Sequence, residues 1–151
     1  MNNKKKHISA FIILSGVFLI DRVTKIFILK DHIHNISIIG CLLRINYIEN
    51  TGVAFGMFKG YNLFFILFNT SLLVFLLYLR RKIKNNFSFY SIHLIIGGAL
   101  GNIFDRIRYG YVIDFIDLKY FPAVFNMADF FITCGAVMLF LVNLREEKCN
   151  Q

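Results

Sequence analysis

The chain has 151 residues, of which 57% are apolar and only 17% charged, and its formal net charge is +8 at pH 7. Soluble domains run near 45–50% apolar and about 25% charged, so an ordinary soluble enzyme is excluded, and a single Pro with 10 Gly excludes a low-complexity chain. The basic excess does not mark a nucleic-acid-binding protein, because Lys and Arg sit at the ends of apolar runs and form no stripe of their own.

A bilayer core about 30 Å thick takes roughly 20 apolar residues as helix, and four segments qualify in chain order. The first is uncharged from Ile8 through Ile20 and continues to Leu29, carrying Asp21, Arg22, Thr24 and Lys25 towards its far end. Its basic leader, Lys4-Lys5-Lys6-His7, also suits a secretory signal peptide, but Asp21-Arg22-Val23-Thr24-Lys25 follows where a small-x-small cleavage site would be needed. An uncleaved span over 8–29 is expected. Residues 35–50 alternate apolar and polar over Leu43–Glu49, which predicts one or two short strands at the membrane surface. The second span, 60–79, holds no charge; the third is uncharged from Asn85 to Phe104, a span near 86–105. The fourth, 127–144, is uncharged from Phe130 to Leu144 and takes in Asp129. The expected fold is thus one domain over 1–151, an α-helical membrane protein with four transmembrane helices.

Orientation follows from the bases. With the N-terminus in the cytoplasm, the inner segments carry Lys4, Lys5, Lys6, Arg80, Arg81, Lys82, Lys84, Arg145 and Lys148. The longer outer loops carry Lys30, Arg44, Lys59, Arg106, Arg108 and Lys119. This predicts N-in, C-in. The acids lean outward: Asp21, Asp31, Glu49, Asp105, Asp114, Asp117 and Asp129 against Glu146 and Glu147 inside.

Ionisable residues within a span are functional candidates because hydrocarbon penalises them. Asp21 and Lys25, four apart, share a helix face and pair most simply with each other. An alternative use of that pair is a transport pathway, but transport sites lie near the midplane, and most of the outer-side acids lie at or beyond the outer boundary. Gly97, Gly98, Ala99 and Gly101 suit close helix packing. Asn102 and Arg106 share a face where the third span leaves the membrane. Asp114 stands among apolar neighbours, and Asp129 opens the fourth span, where a helix-capping role would equally explain it. A turn around Pro122 lets the two converge. Two close carboxyls share one proton, the arrangement by which aspartic proteases activate water and polarise a carbonyl. By spacing alone, Asp105 and Asp117 compete for those places.

Other protease chemistries lack their motifs: there is no Gly-x-Ser-x-Gly and no His-Glu-x-x-His. His32-x-His34 has no evident third metal ligand, and Cys41, Cys134 and Cys149 have no metal-like spacing. No metal is expected.

Together, Asp21-Arg-Val-Thr-Lys25, Asn50-Thr-Gly-Val-Ala-Phe-Gly56, Gly97-Gly-Ala-Leu-Gly-Asn-Ile-Phe-Asp-Arg106, Val112-Ile-Asp-Phe-Ile116 and Phe125-Asn-Met-Ala-Asp129 resemble the lipoprotein signal peptidases (signal peptidase II), the A8 aspartic peptidases of bacteria. The motifs occur in the family's order. The resemblance implies removal of signal peptides from diacylglyceryl-modified prolipoproteins by a cut just before the lipidated Cys. It implies Asp114 and Asp129 as catalytic pair, and Asn50, Gly52, Asn102, Arg106 and Asn126 as substrate-pocket residues. Asp21 and Lys25 fall where the family has supporting polar groups, Asp105 is grouped with them, and Arg22 stands where many members have Gln. It further implies a small extracytoplasmic β-cradle in the first outer loop, and no cofactor. The partners expected are the lipidated precursor and membrane lipid around a monomer in the bacterial plasma (inner) membrane, with the site on the extracytoplasmic side.

Overall fold

The computed structural model describes residues 3–31, 35–52, 61–83 and 85–149. In chain order these form α1 (Asn3–Asp31), β1 (Ile36–Ile39), β2 (Leu43–Asn50), α2 (Asn62–Leu79), α3 (Asn86–Tyr109), β3 (Val112–Leu118) and α4 (Met127–Cys149). Among the described residues three helices are long and apolar enough to cross a membrane: α2, α3 and the Met127–Arg145 part of α4. Helix ends overrun the apolar runs: α1 reaches back to Asn3, α3 on to Tyr109 and α4 on to Cys149. Hydropathy marks the depth of hydrocarbon, whereas backbone hydrogen bonding continues through charged turns beyond it.

Helix α3 is the axis of the bundle, packed against α1, α2 and α4. It starts where Asn85, in extended conformation, accepts the N–H groups of Phe87 and Ser88, and it stops at Gly110, whose φ of 86° is the left-handed C-cap that glycine favours. Its glycines face the neighbours directly. A Cβ on Gly97 would stand 2.9 Å from the Leu14 carbonyl oxygen of α1, and one on Gly98 would stand 2.5 Å from the Ala128 carbonyl oxygen of α4. From the other side Gly135 of α4 meets the Ser91 carbonyl oxygen. The small-residue run therefore lets three backbones approach, as in other membrane helix pairs.

The bundle is apolar outside and polar within. Phe11, Leu19 and Phe27 on α1, Leu63, Phe64 and Phe75 on α2, and Phe140 and Leu141 on α4 are exposed, while Asp21, Lys25, Asp105 and Asn126 are at most 1% exposed. Buried ionisable groups are tolerated only when paired. Here Arg22 and Lys25 each contact both Asp21 and Asp105, at 2.6–3.0 Å. Two cations and two anions make a neutral quartet joining α1 to α3. Sequence reasoning pairs Asp21 with Lys25 and gives Arg22 no part; an adjacent Arg left on the same buried face was the signal available.

The strands form one antiparallel sheet in the order β1-β2-β3. Two come from the loop between α1 and α2, as expected, but the third, β3, comes from the stretch between α3 and α4. Its pairing with 43–50 leaves no local mark in the sequence, because the two segments are far apart along the chain.

Candidate active site

Four elements meet at the end of the bundle where the sheet lies. Strand β3 carries Asp114, which is 2% exposed. Past Leu118 the chain reverses through Pro122, and Phe125 returns to bond with Ile116, N–H to carbonyl in both directions. That return sets Asn126 beside Asp114 and starts α4 at Met127.

Asn126 is the N-cap of α4. Its Oδ1 accepts the Asp129 N–H at 2.9 Å, while Asp129 Oδ2 accepts the Asn126 N–H at 3.3 Å, a reciprocal capping box. The same Asn126 side chain donates through Nδ2 to Asp114 Oδ1 at 2.6 Å. Asn126 thus reaches both carboxyls, Asp114 through its side-chain Nδ2 and Asp129 through its backbone N–H. The capping reading of Asp129 holds, and it holds the carboxyl towards Asp114 at the same time. Asp105, a competitor for the pair, is committed elsewhere, to Arg22, Lys25 and the Ile113 N–H. Asp117 pairs with Arg44 at 2.9 Å on the half-exposed side of the sheet.

Amides complete the ring. Asn102 on α3 donates through Nδ2 to Asp129 Oδ1 at 2.7 Å, and its Oδ1 accepts from Lys25 Nζ and from Asn126 Nδ2. Asn50, the last residue of β2, donates to Asp114 Oδ2 at 2.8 Å. A bulge makes this possible. Between Ile45, opposite Ile116, and Ile48, opposite Asp114, β2 has one residue more than β3. Without it Asn50 would point to the other face of the sheet; with it, Asn50 sits diagonally from Asp114 on the same face.

Burial pushes the Asp114 carboxyl up to about 7, and the nearby charge of Asp129 adds to the shift. Hydrogen bonds from Asn50 and Asn126 and the charge of Lys25 pull the other way. Burial prevails because taking a charge out of water outweighs two neutral hydrogen bonds.

Both carboxyls open onto a cavity of about 700 Å³ between α2, α3, α4 and the sheet. Asn50, Gly52, Asn102 and Arg106 line it. Arg106 donates to the Gly52 carbonyl at 2.9 Å and lies over the Phe65 ring, and among the described residues it has no ion pair. Asn126 departs from expectation. It is fully buried behind the two carboxyls and is absent from the cavity wall: its side-chain amide is taken up by Asp114, Asn102 and the Asp129 N–H, and its backbone N–H by the Asp129 carboxyl. Asp21, Lys25 and Asp105 stand behind the site: Asp21 accepts the Ala128 N–H at the start of α4, and Lys25 reaches Asn102. Among the described residues no group of His, Cys, Asp and Glu could hold a metal ion. His32, His34 and residues 53–60, with Gly56, lie outside the described residues.

Residues 13–145 match the family described as signal peptidase (SPase) II. The chain is 42% identical over 137 residues to the lipoprotein signal peptidase of Caldicellulosiruptor bescii, covering 90% of this chain and 91% of the relative. It is 46% identical over 149 residues to that of Thermodesulfovibrio yellowstonii, covering 94% and 96%. Two solved structures described as bacterial membrane enzymes share the fold. One has a TM-score of 0.88 at 30% identity, over 95% of this chain and 92% of the other; the second has 0.81 at 32%, over 90% and 92%.

Proposed function

The chain belongs to the signal peptidase II family, and we propose that it is an aspartic endopeptidase that removes signal peptides from diacylglyceryl-modified prolipoproteins, cutting on the N-terminal side of the lipidated Cys. The observation that carries the reading is the pair Asp114 and Asp129, bridged by Asn126 at the wall of one cavity. The charged member of the pair takes a proton from water as that water attacks the scissile carbonyl; the neutral member donates its proton to the carbonyl oxygen. The reaction uses carboxyls alone and calls for no cofactor.

The membrane placement has physical support. All the ionic groups of α1 that lie between Ile8 and Leu29 are turned into the buried quartet, so its outward face (Phe11, Leu19, Val23, Phe27) is apolar and can serve as the fourth span. Four spans with Lys and Arg collected at the other end give N-in, C-in and an extracytoplasmic site in the plasma membrane of a bacterium. The substrate's acyl chains are held in the outer leaflet, at the level of the carboxyl pair. A monomer contains every group named.

The test is cleavage of a diacylated precursor peptide and of its unlipidated twin by the purified protein. Cleavage before the Cys of the lipidated peptide alone is expected; equal turnover of both would refute the specificity.

The proton count sets the pH dependence. Asp114 keeps its proton below about pH 7. Above it Asp114 has no proton to donate, so kcat/KM is expected to fall on the alkaline side of about pH 7. A carboxyl raised from 3.8 opposes folding increasingly as pH climbs from that value towards 7. The melting temperature therefore declines over the same interval. A kcat/KM profile flat from pH 6 to 9 would remove Asp114 as the proton carrier.

A further inference from the structure

Helix α2 is apolar from Leu63 to Phe68 and from Leu72 to Leu79, and Asn69-Thr70-Ser71 interrupts it at mid-length. Asn69 lines the cavity, and so does Thr133 of α4. The antiparallel packing sets their depth. Asn62 of α2 bonds the Arg106 carbonyl of α3, and Asn102 of α3 bonds Asp129 of α4. Counting inward at about 1.5 Å per residue, Asn69, Ala99 and Thr133 fall at one level, roughly one helical turn below the carboxyl pair. The cavity wall there is otherwise apolar: Phe68, Leu72, Ile95 and Ile132. Ala99, with its single methyl, leaves the space open.

Neither polar side chain has a partner among the described residues. Ser71 returns its hydroxyl to the Phe68 carbonyl and Thr24 bonds the Ile20 carbonyl. Asn69 and Thr133 make no such bond. At hydrocarbon depth an unsatisfied amide is unfavourable, so these groups await a polar partner from whatever fills the cavity.

We propose that Asn69, with Thr133, binds the backbone of the substrate's signal peptide where its helix unwinds, in the few residues before the scissile bond. This rests on the function proposed above. A helical segment must open before its carbonyl can reach the carboxyl pair. Opening frees backbone N–H and C=O groups that hydrocarbon side chains cannot satisfy. A carboxamide offers both a donor and an acceptor, which matches one peptide unit, and the Thr133 hydroxyl adds a third contact. Asn69 is therefore a substrate-positioning residue, indifferent to side chains and specific for an unwound backbone.

The test pairs Asn69→Leu, close in volume, and Thr133→Val with backbone-ester substrates. A lipidated precursor peptide is compared with analogues in which an ester replaces, one at a time, the three peptide bonds before the cut. On the all-amide peptide Asn69→Leu is expected to lower kcat/KM by about 10- to 100-fold, the effect of unpairing groups in an apolar site. On the ester analogue that lacks the partner N–H, wild type already loses that factor and Asn69→Leu loses less than about threefold more. Thr133→Val shows the same pattern with a smaller loss. An equal loss on every substrate marks a merely structural residue and overturns the proposal, as does no loss at all. Wild-type protein inert to all the peptides would overturn the function and this inference together, whereas an active wild type with uniform losses overturns this inference alone.

Discussion

Asp129→Asn is expected to lower cleavage of a lipidated precursor by about 100- to 10,000-fold, the range for loss of a general acid or base, in protein that still accumulates in the membrane. Asp114→Asn should do the same. The substitutions are nearly isosteric and spare the scaffold: an Asn at position 129 still offers an oxygen to the Asn126 N–H, and strand β3 keeps its ladder to β2. Each removes the capacity to exchange a proton, together with one of the two accepting oxygens that hold the carboxyl in the ring of amides. Neither variant can be rescued by its partner, since one carboxyl cannot be acid and base in the same step. Asp117→Asn, on the half-exposed side of the sheet with Arg44, serves as the control and should retain activity. Turnover within tenfold of wild type for either variant of the pair would remove the assignment.

Lys25→Met should cost more in stability than any substitution outside the core. It leaves Asp21 and Asp105, both fully buried, facing a single guanidinium. Breaking one side of a buried ionic group costs about 3–5 kcal/mol, since a charge is stranded away from water. The loss also reaches the site, because Lys25 Nζ donates to Asn102 Oδ1 and so turns the Asn102 amide nitrogen towards Asp129. The expected result is a large drop in melting temperature in detergent, or failure to accumulate. Adding Asp105→Asn to Lys25→Met restores neutrality, and the double variant should recover a substantial part of the stability. A Lys25→Met protein as stable as wild type would show that the quartet does not hold α1 to α3.

The same quartet shows how far the amino-acid order is informative. Asp21 and Lys25 are four apart, and helical geometry alone puts them together. Asp105 and Arg22 join them through packing of α1 on α3, across a glycine: a Cβ on Gly101 would stand 2.5 Å from Asp21 Oδ2. The spacing marks Gly101 for close approach without naming what approaches. Asn69 is a similar case. A polar residue in an apolar helix is visible at once, but only the cavity gives it a direction.

Composition and short-range periodicity are enough to mark the apolar spans, the polar groups within them, a strand-forming loop, and the acidic positions from which a pair could be drawn. Which of these groups face one another depends on the packed fold. The third strand, the bulge that turns Asn50 to Asp114's side, and the withdrawal of Asn126 from the cavity into a bridge between two carboxyls each depend on register between distant segments. A one-residue shift reverses the face a strand side chain occupies. Local preferences cannot fix such a shift; it is settled by the energy of packing the sheet, α3 and α4 around the same buried polar groups.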